Sequence, residues 1–163
     1  HPMPHRALLA LPLMLAVGTL GCAPPAPPEP GTVVTFDELC EAKYDLPEGS
    51  HGDTPLPRVT MEGYLVPPAM FSMCSDTCSF DLMQDPNVEV GDGPSVRYSV
   101  KLGSGNNKLE PLPKRYDPAD FKLHTNGGEV LGFGDKVRLT GQRLGDSKNP
   151  PCQLYKVDVI EKP

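Results

Sequence analysis

From Val59 onward, apolar and polar residues alternate in short runs, each stopped by turn-forming residues. Val96, Tyr98, Val100 and Leu102 alternate with Arg97, Ser99 and Lys101, a period of two that sends one face inward and leaves the other in water. Residues 59–66 read as an earlier strand stopped by Pro67-Pro68, and residues 79–83 as a second one ended near Asp85-Pro86. The cluster Gly103-Ser-Gly-Asn-Asn107 closes the third. Asp117-Pro118 supplies an N-cap and first residue for a helical turn reaching Phe121. Residues 122–125 and 129–131 flank Asn126-Gly127, a hairpin signal. Two further strands follow, residues 136–141 with Val137 and Leu139 inward, and residues 154–160 with Tyr155, Val157 and Val159 on one face. Upstream, residues 35–44 read as a short helix capped by Thr35, with Phe36, Leu39 and Cys40 on one side.

Five strands with one helical turn between the third and fourth predict an all-β fold, a small Greek-key barrel. The strings Val-Thr-Met-Glu-Gly-Tyr-Leu-Val (59–66), Gly-Phe-Gly-Asp-Lys-Val-Arg-Leu-Thr-Gly (132–141) and Gln-Leu-Tyr-Lys-Val-Asp-Val-Ile-Glu (153–161) carry a resemblance to the OB-fold. Gly63 and Gly141 fit places where a coiled barrel strand bends sharply. The resemblance covers residues 57–162. It implies a ligand face across the second and third strands, flanked by residues 71–77 and 145–151, with Arg97, Lys101, Arg138 and Lys156 as polar candidates. Unlike nucleic-acid-binding members, the chain has no dense face of aromatic and basic residues. Tyr64, Phe80, Tyr98 and Tyr155 read as core or rim.

The amino-terminal pattern has a different origin. Arg6, an apolar run over residues 7–17 and then Gly18-Thr-Leu-Gly21 have the order of a secretory signal, with Met3 as its expected start. A run of about eleven residues, interrupted by Pro12, is too short for a bilayer-spanning helix. With Cys22 directly after the small residues, the segment resembles a bacterial lipoprotein signal, and the chain as a whole resembles bacterial lipoproteins of uncharacterised function that carry an OB-fold domain. That resemblance implies cleavage before Cys22 and attachment of palmitate-type acyl chains, which hold the protein to a membrane of the cell envelope. Ala23, where the enterobacterial sorting rule places Asp for retention, points to the outer membrane rather than the inner one. The proline-rich stretch to Gly31 reads as a polyproline spacer of about 30 Å. The expected organisation is thus signal 1–21, acylated cysteine and tether 22–31, amino-terminal extension 32–56 and barrel 57–163.

Of 163 residues with 15 basic and 21 acidic side chains, loss of the leader removes 21 residues and Arg6 alone, leaving 142 at a net charge of −7. Phosphate polymers are bound largely through Lys and Arg, so this balance argues against a nucleic-acid partner; the resemblance to envelope lipoproteins implies an envelope protein or glycan instead. Four cysteines remain after Cys22: Cys40, Cys74, Cys78 and Cys152. Outside the cytoplasm an even set reads as disulfides, with three possible connectivities. Loop-closure entropy favours a long bridge, and Cys152 joined to Cys74 or Cys78 is the expected pairing. An alternative chemistry uses Met70, Met73, Cys74 and Cys78 as soft ligands for copper(I). No hydrolase motif surrounds His51 or His124, and the glycine-rich 103–108 stretch lacks a phosphate-loop ending, so a non-enzymatic binding module without cofactor is the expectation.

Overall fold

The computed structural model describes residues 21, 26–70 and 74–163; the expected leader and the Cys22 anchor lie outside the described residues. The architecture is the expected all-β one. Strand β1 (Thr32–Val33) lies parallel to β2 (Arg58–Leu65), and β2 is followed by β3 (Thr77–Met83), β4 (Ser95–Lys101), β5 (Lys108–Leu109), β6 (Leu123–His124), β7 (Val130–Leu131), β8 (Lys136–Leu144) and β9 (Gln153–Glu161). Five of these close a barrel in the order β2-β3-β4-β9-β8 and back to β2, with β4 and β9 parallel and the other contacts antiparallel. This is the OB-like Greek-key order, in which the strand pair at the end of the chain wraps back against the first strand.

The barrel closes because each long strand keeps one apolar face. Val59, Met61 and Leu65 of β2, Phe80 and Leu82 of β3, Tyr98 and Val100 of β4 and Val137 and Leu139 of β8 are all essentially inaccessible to water. A 3-10 turn (Pro118–Asp120) and the three-stranded sheet β5-β6-β7 add Leu109, Phe121, Leu123 and Leu131 to the same core. The turn ends on Phe121, which stacks on Phe133 at 4.1 Å and meets Phe80 edge-on at 5.1 Å between centroids. Asp117 caps this turn through its own N–H, which donates to the Asp120 carboxylate at 2.9 Å.

Strand β9 departs from the expected period. Tyr155 and Val159 pair with Gln142 and Thr140 on the outer face, whereas Leu154, Val157 and Ile160 join the core. The cause is a bulge centred on Lys156, whose φ of 48° is left-handed and whose N–H donates to Ser99 Oγ at 3.0 Å. The bulge presses the backbone of β9 onto β8, where only a glycine fits. A Cβ at Gly141 would lie 2.8 Å from the Tyr155 carbonyl oxygen and 3.0 Å from Val157 Cα. Gly141 therefore permits a close approach instead of ending the strand, and β8 runs on to Leu144. Gly141→Ala is expected to destabilise the fold by about 1–3 kcal/mol, the usual penalty for overpacking, as measured by urea unfolding.

The extension is built into the fold. Val34 N–H donates to the Thr60 carbonyl at 2.9 Å, and Val34 and Leu39 are buried. Glu29 and Gly31, expected in the tether, lie against β2. Arg58 Nε donates to the Glu29 carbonyl at 2.8 Å, and a Cβ on Gly31 would meet Thr60 and the Val59 backbone at 2.6 Å. The expected helix over 35–44 is one capped turn followed by a 3-10 turn (Ala42–Tyr44). Thr35 and Glu38 cap each other reciprocally at 2.9 and 3.3 Å, as expected of the cap. The helix does not propagate, because the carbonyls of Leu39, Glu41 and Tyr44 are turned to the Arg143 guanidinium.

Arg143 is the largest fully buried side chain, with 1% of its surface exposed. It donates through Nε to Leu39 O at 3.0 Å and through one terminal nitrogen to Gly145 O at 2.8 Å, and lies 2.8 Å from an Asp45 carboxylate oxygen. A guanidinium with five donors in a fixed fork can serve several carbonyls and a carboxylate together. Asp45 also accepts from the Ser147 N–H and hydroxyl, so extension, β8 and the β8–β9 loop meet at one charge cluster.

Candidate functional site

The face implied by the fold is the outer surface of β3, β4 and β9. Register places Thr77 opposite Lys101, Ser79 opposite Ser99 and Asp81 opposite Arg97, with Phe80, Tyr98 and Val100 turned into the core between them. Lys156 joins this group because its bulge hydrogen-bonds Ser99, and its ammonium lies 5.2 Å from the Tyr155 ring centroid. Arg97, Lys101 and Lys156, all predicted site residues, are thus brought together on neighbouring strands and are exposed.

Arg138 is not among them. It lies on β8 directly opposite Glu62 of β2 and donates from Nε and a terminal nitrogen to one Glu62 oxygen at 2.9 and 2.6 Å, with Lys136 at 3.5 Å from the other. Its charge is committed to holding two barrel strands. Tyr64 and Tyr155 are half-buried at the outside, whereas Phe80 and Tyr98 are in the core. Burial pushes the Tyr98 phenol well above its ordinary range, with the Asp81 carboxylate adding to the effect.

Two loop segments bound this face. Residues 74–76 lead into Thr77 at the Lys101 end, and residues 145–152 deliver the chain to Leu154, which pairs with Tyr98 nearer the Ser95 end. Each loop carries one disulfide. Cys74 is bonded to Cys78 across four residues, and Cys152 to Cys40 across 112. The expected pairing of Cys152 with Cys74 or Cys78 is therefore wrong. Cys78 is the second residue of β3 and Cys152 directly precedes β9, and the extension packed by Arg143 brings Cys40 to within 5.3 Å of Cys152, Cα to Cα. With Cys74 and Cys78 bonded to each other, the soft-ligand set has no thiolate. Met70 of that set is 83% exposed, and Met73 lies outside the described residues.

His51 is exposed, and His124 is half-buried with its Nε2 at 2.9 Å from Glu110. Sequence reasoning missed a cleft of about 530 Å³ between the extension and β2, walled by Val33, Phe36 and Tyr64 and edged by Glu62, Gln84 and Lys136. Its signal, the half-apolar 33–36 string, is too short to separate from an ordinary loop. Three carboxyls are held below the ordinary range. Glu62 is lowered chiefly by hydrogen bonds from Arg138, Asp45 by Ser147 and then Arg143, and Glu38 by Thr35.

A lowered folded pKa gives stability that is complete above the unfolded value of about 4 and is lost as pH falls through the folded one. Melting temperature is expected to hold from neutral pH to about 5 on account of these groups and to drop below about pH 4. Asp45→Asn should make the acid limb shallower; an unchanged limb would contradict the assignment. Comparison of the chain with family models, with curated proteins and with solved structures gave no match, so the functional reading rests on the geometry of the face.

Proposed function

We propose that the protein is a lipid-anchored lipoprotein of the bacterial cell envelope that presents its OB-like barrel as a non-enzymatic binding module for a protein or glycan. The observation that carries the reading is the β3–β4–β9 face with a disulfide at each end, Cys74–Cys78 where β3 begins and Cys40–Cys152 where β9 begins. Backbone held by a disulfide beside the face loses little entropy on ligand binding, which favours recognition by pre-organisation. The two disulfides support export, since structural disulfides persist in oxidising compartments. The polar lining of serine, threonine, aspartate and basic residues suits a ligand read by hydrogen bonds. Among the described residues it presents the half-buried Tyr155 and no exposed aromatic platform for stacked bases.

A melting-temperature screen of the mature protein against cell-wall glycans, envelope-derived peptides and oligonucleotides tests the proposal. A rise with glycan or peptide that disappears in the Arg97→Ala/Lys101→Ala variant is the expected result. A response to oligonucleotides alone, or to none of the three classes, would count against it.

A further inference from the structure

Residues 28–31, which the sequence presents as part of a spacer, are seated on the barrel. Asp158 accepts from both terminal nitrogens of Arg58 at 2.7 and 2.8 Å, and the remaining Nε donates to the Glu29 carbonyl at 2.8 Å. Two residues on, Gly31 lies so close to β2 that a Cβ would meet Thr60 Oγ1 and the Val59 carbonyl carbon at 2.6 Å. The chain then enters β1 in register with Val59 and Thr60. Thr60 of β2 and Thr140 of β8, whose hydroxyls are 2.7 Å apart, line one groove with residues 28–31, so the seat is the seam between those two strands. In the closed order β2-β3-β4-β9-β8, the strand two places from either side of that seam is β4, the centre of the candidate face. Strap and face therefore occupy opposite sides of the barrel.

From this placement we infer that residues 28–31 are an orienting strap, which holds the β2–β8 seam toward the surface where the amino terminus is attached and the β3–β4–β9 face away from it. Cys22 and Glu29 are seven residues apart, a separation that no chain conformation stretches beyond about 25 Å. A domain of this size is about 35 Å across. Laying β4 on the surface would lift the seat by that full width, which the leash is too short to allow. With the strap unseated, the first firmly held residue is Val34, buried and bonded to the Thr60 carbonyl. It is twelve residues from Cys22, and a reach of about 40 Å would let the barrel roll over. The attachment itself rests on the lipid-anchored reading, whereas the seat and the side it occupies do not. For that reading, the consequence is a partner that approaches from the aqueous side, as opposed to a lipid or a segment embedded in the bilayer.

The chain from Cys22 onward, with both disulfides formed, has Cys22 as its one free thiol, and a maleimide lipid in a phosphatidylcholine nanodisc can capture it. This supplies the attachment chemically, so orientation is tested whether or not the cell acylates Cys22. With a gadolinium-chelating lipid in the disc, paramagnetic relaxation of backbone amides is read by NMR. It should be at least about tenfold stronger at residues 28–32 and 59–62 than at 97–101, given the width of the domain. Gly31→Val/Arg58→Ala unseats the strap and changes no core residue, and the contrast should fall to about twofold or less as the reach grows. Equal relaxation of the two sides in the parent, stronger relaxation at 97–101, or full contrast surviving in the variant would each overturn the inference. Acylation is read separately, by intact mass of protein from native membranes. An unacylated chain there would refute the anchor and leave the orientation result standing.

Discussion

Replacing Cys40 and Cys152 together by alanine is expected to cost about 5 kcal/mol, the largest effect of any pair in the molecule. The bridge spans 112 residues, and a closed loop of about that length restricts the unfolded chain by that amount in the chain-entropy picture. For a domain of this size the loss corresponds to a fall in melting temperature of about 15 °C, to be read by thermal unfolding monitored by circular dichroism. The fold itself should survive, because the barrel ladders do not pass through either cysteine. A loss below about 1 kcal/mol would mean that the extension is held almost entirely by other contacts.

Those other contacts make the second prediction. Arg143→Met keeps the volume of the side chain and removes its donors, leaving the carbonyls of Leu39, Tyr44 and Gly145 and the Asp45 carboxylate without their shared partner. Leaving a buried carbonyl without its donor costs about 1–3 kcal/mol apiece, whereas Asp45, partly exposed, regains water. Arg143→Lys should recover little of it. An ammonium has three donors at one point and cannot span acceptors that a planar fork reaches on different sides. Because the disulfide and the guanidinium secure the same segment, their effects should not add. A double-mutant cycle in urea is expected to show coupling, and strict additivity would mean that they act on separate parts of the structure.

Much of the barrel was legible in the chain because its strands obey a simple period. In β4 the inward residues Val96, Tyr98 and Val100 stand out from Arg97, Ser99 and Lys101, and the structure buries one set and exposes the charges of the other. The same holds for Val137 and Leu139. Legibility fails where tertiary contacts override the pattern. Arg143 follows Gly141 in what reads as a solvated end, and nothing local shows that three carbonyls 99 to 104 positions earlier in the chain will converge on it. Lys156 shifts the phase of β9 without any glycine to announce it. Strands β5, β6 and β7 hold two residues each, too few for an alternation to be counted.

The candidate site divides in the same way. Arg97, Lys101 and Lys156 share a face because neighbouring strands align them, which the barrel order predicts. Arg138 falls outside because register sets it against Glu62, and register between strands more than seventy positions apart is not written in either strand alone. The disulfide pairing was lost for a related reason. Loop entropy correctly favoured a long bridge to Cys152, but the choice of Cys40 depends on how the extension packs, and that is settled by Arg143, Leu39 and Val34.

Non-reducing peptide mapping with intact mass, on protein extracted from native membranes, examines export, anchoring and staples in a single sample. The prediction is a chain that begins at Cys22 with acyl chains attached and carries the Cys40–Cys152 and Cys74–Cys78 bonds in full. A chain that retains residues 1–21, bears no lipid and has four free thiols would contradict the account at its root.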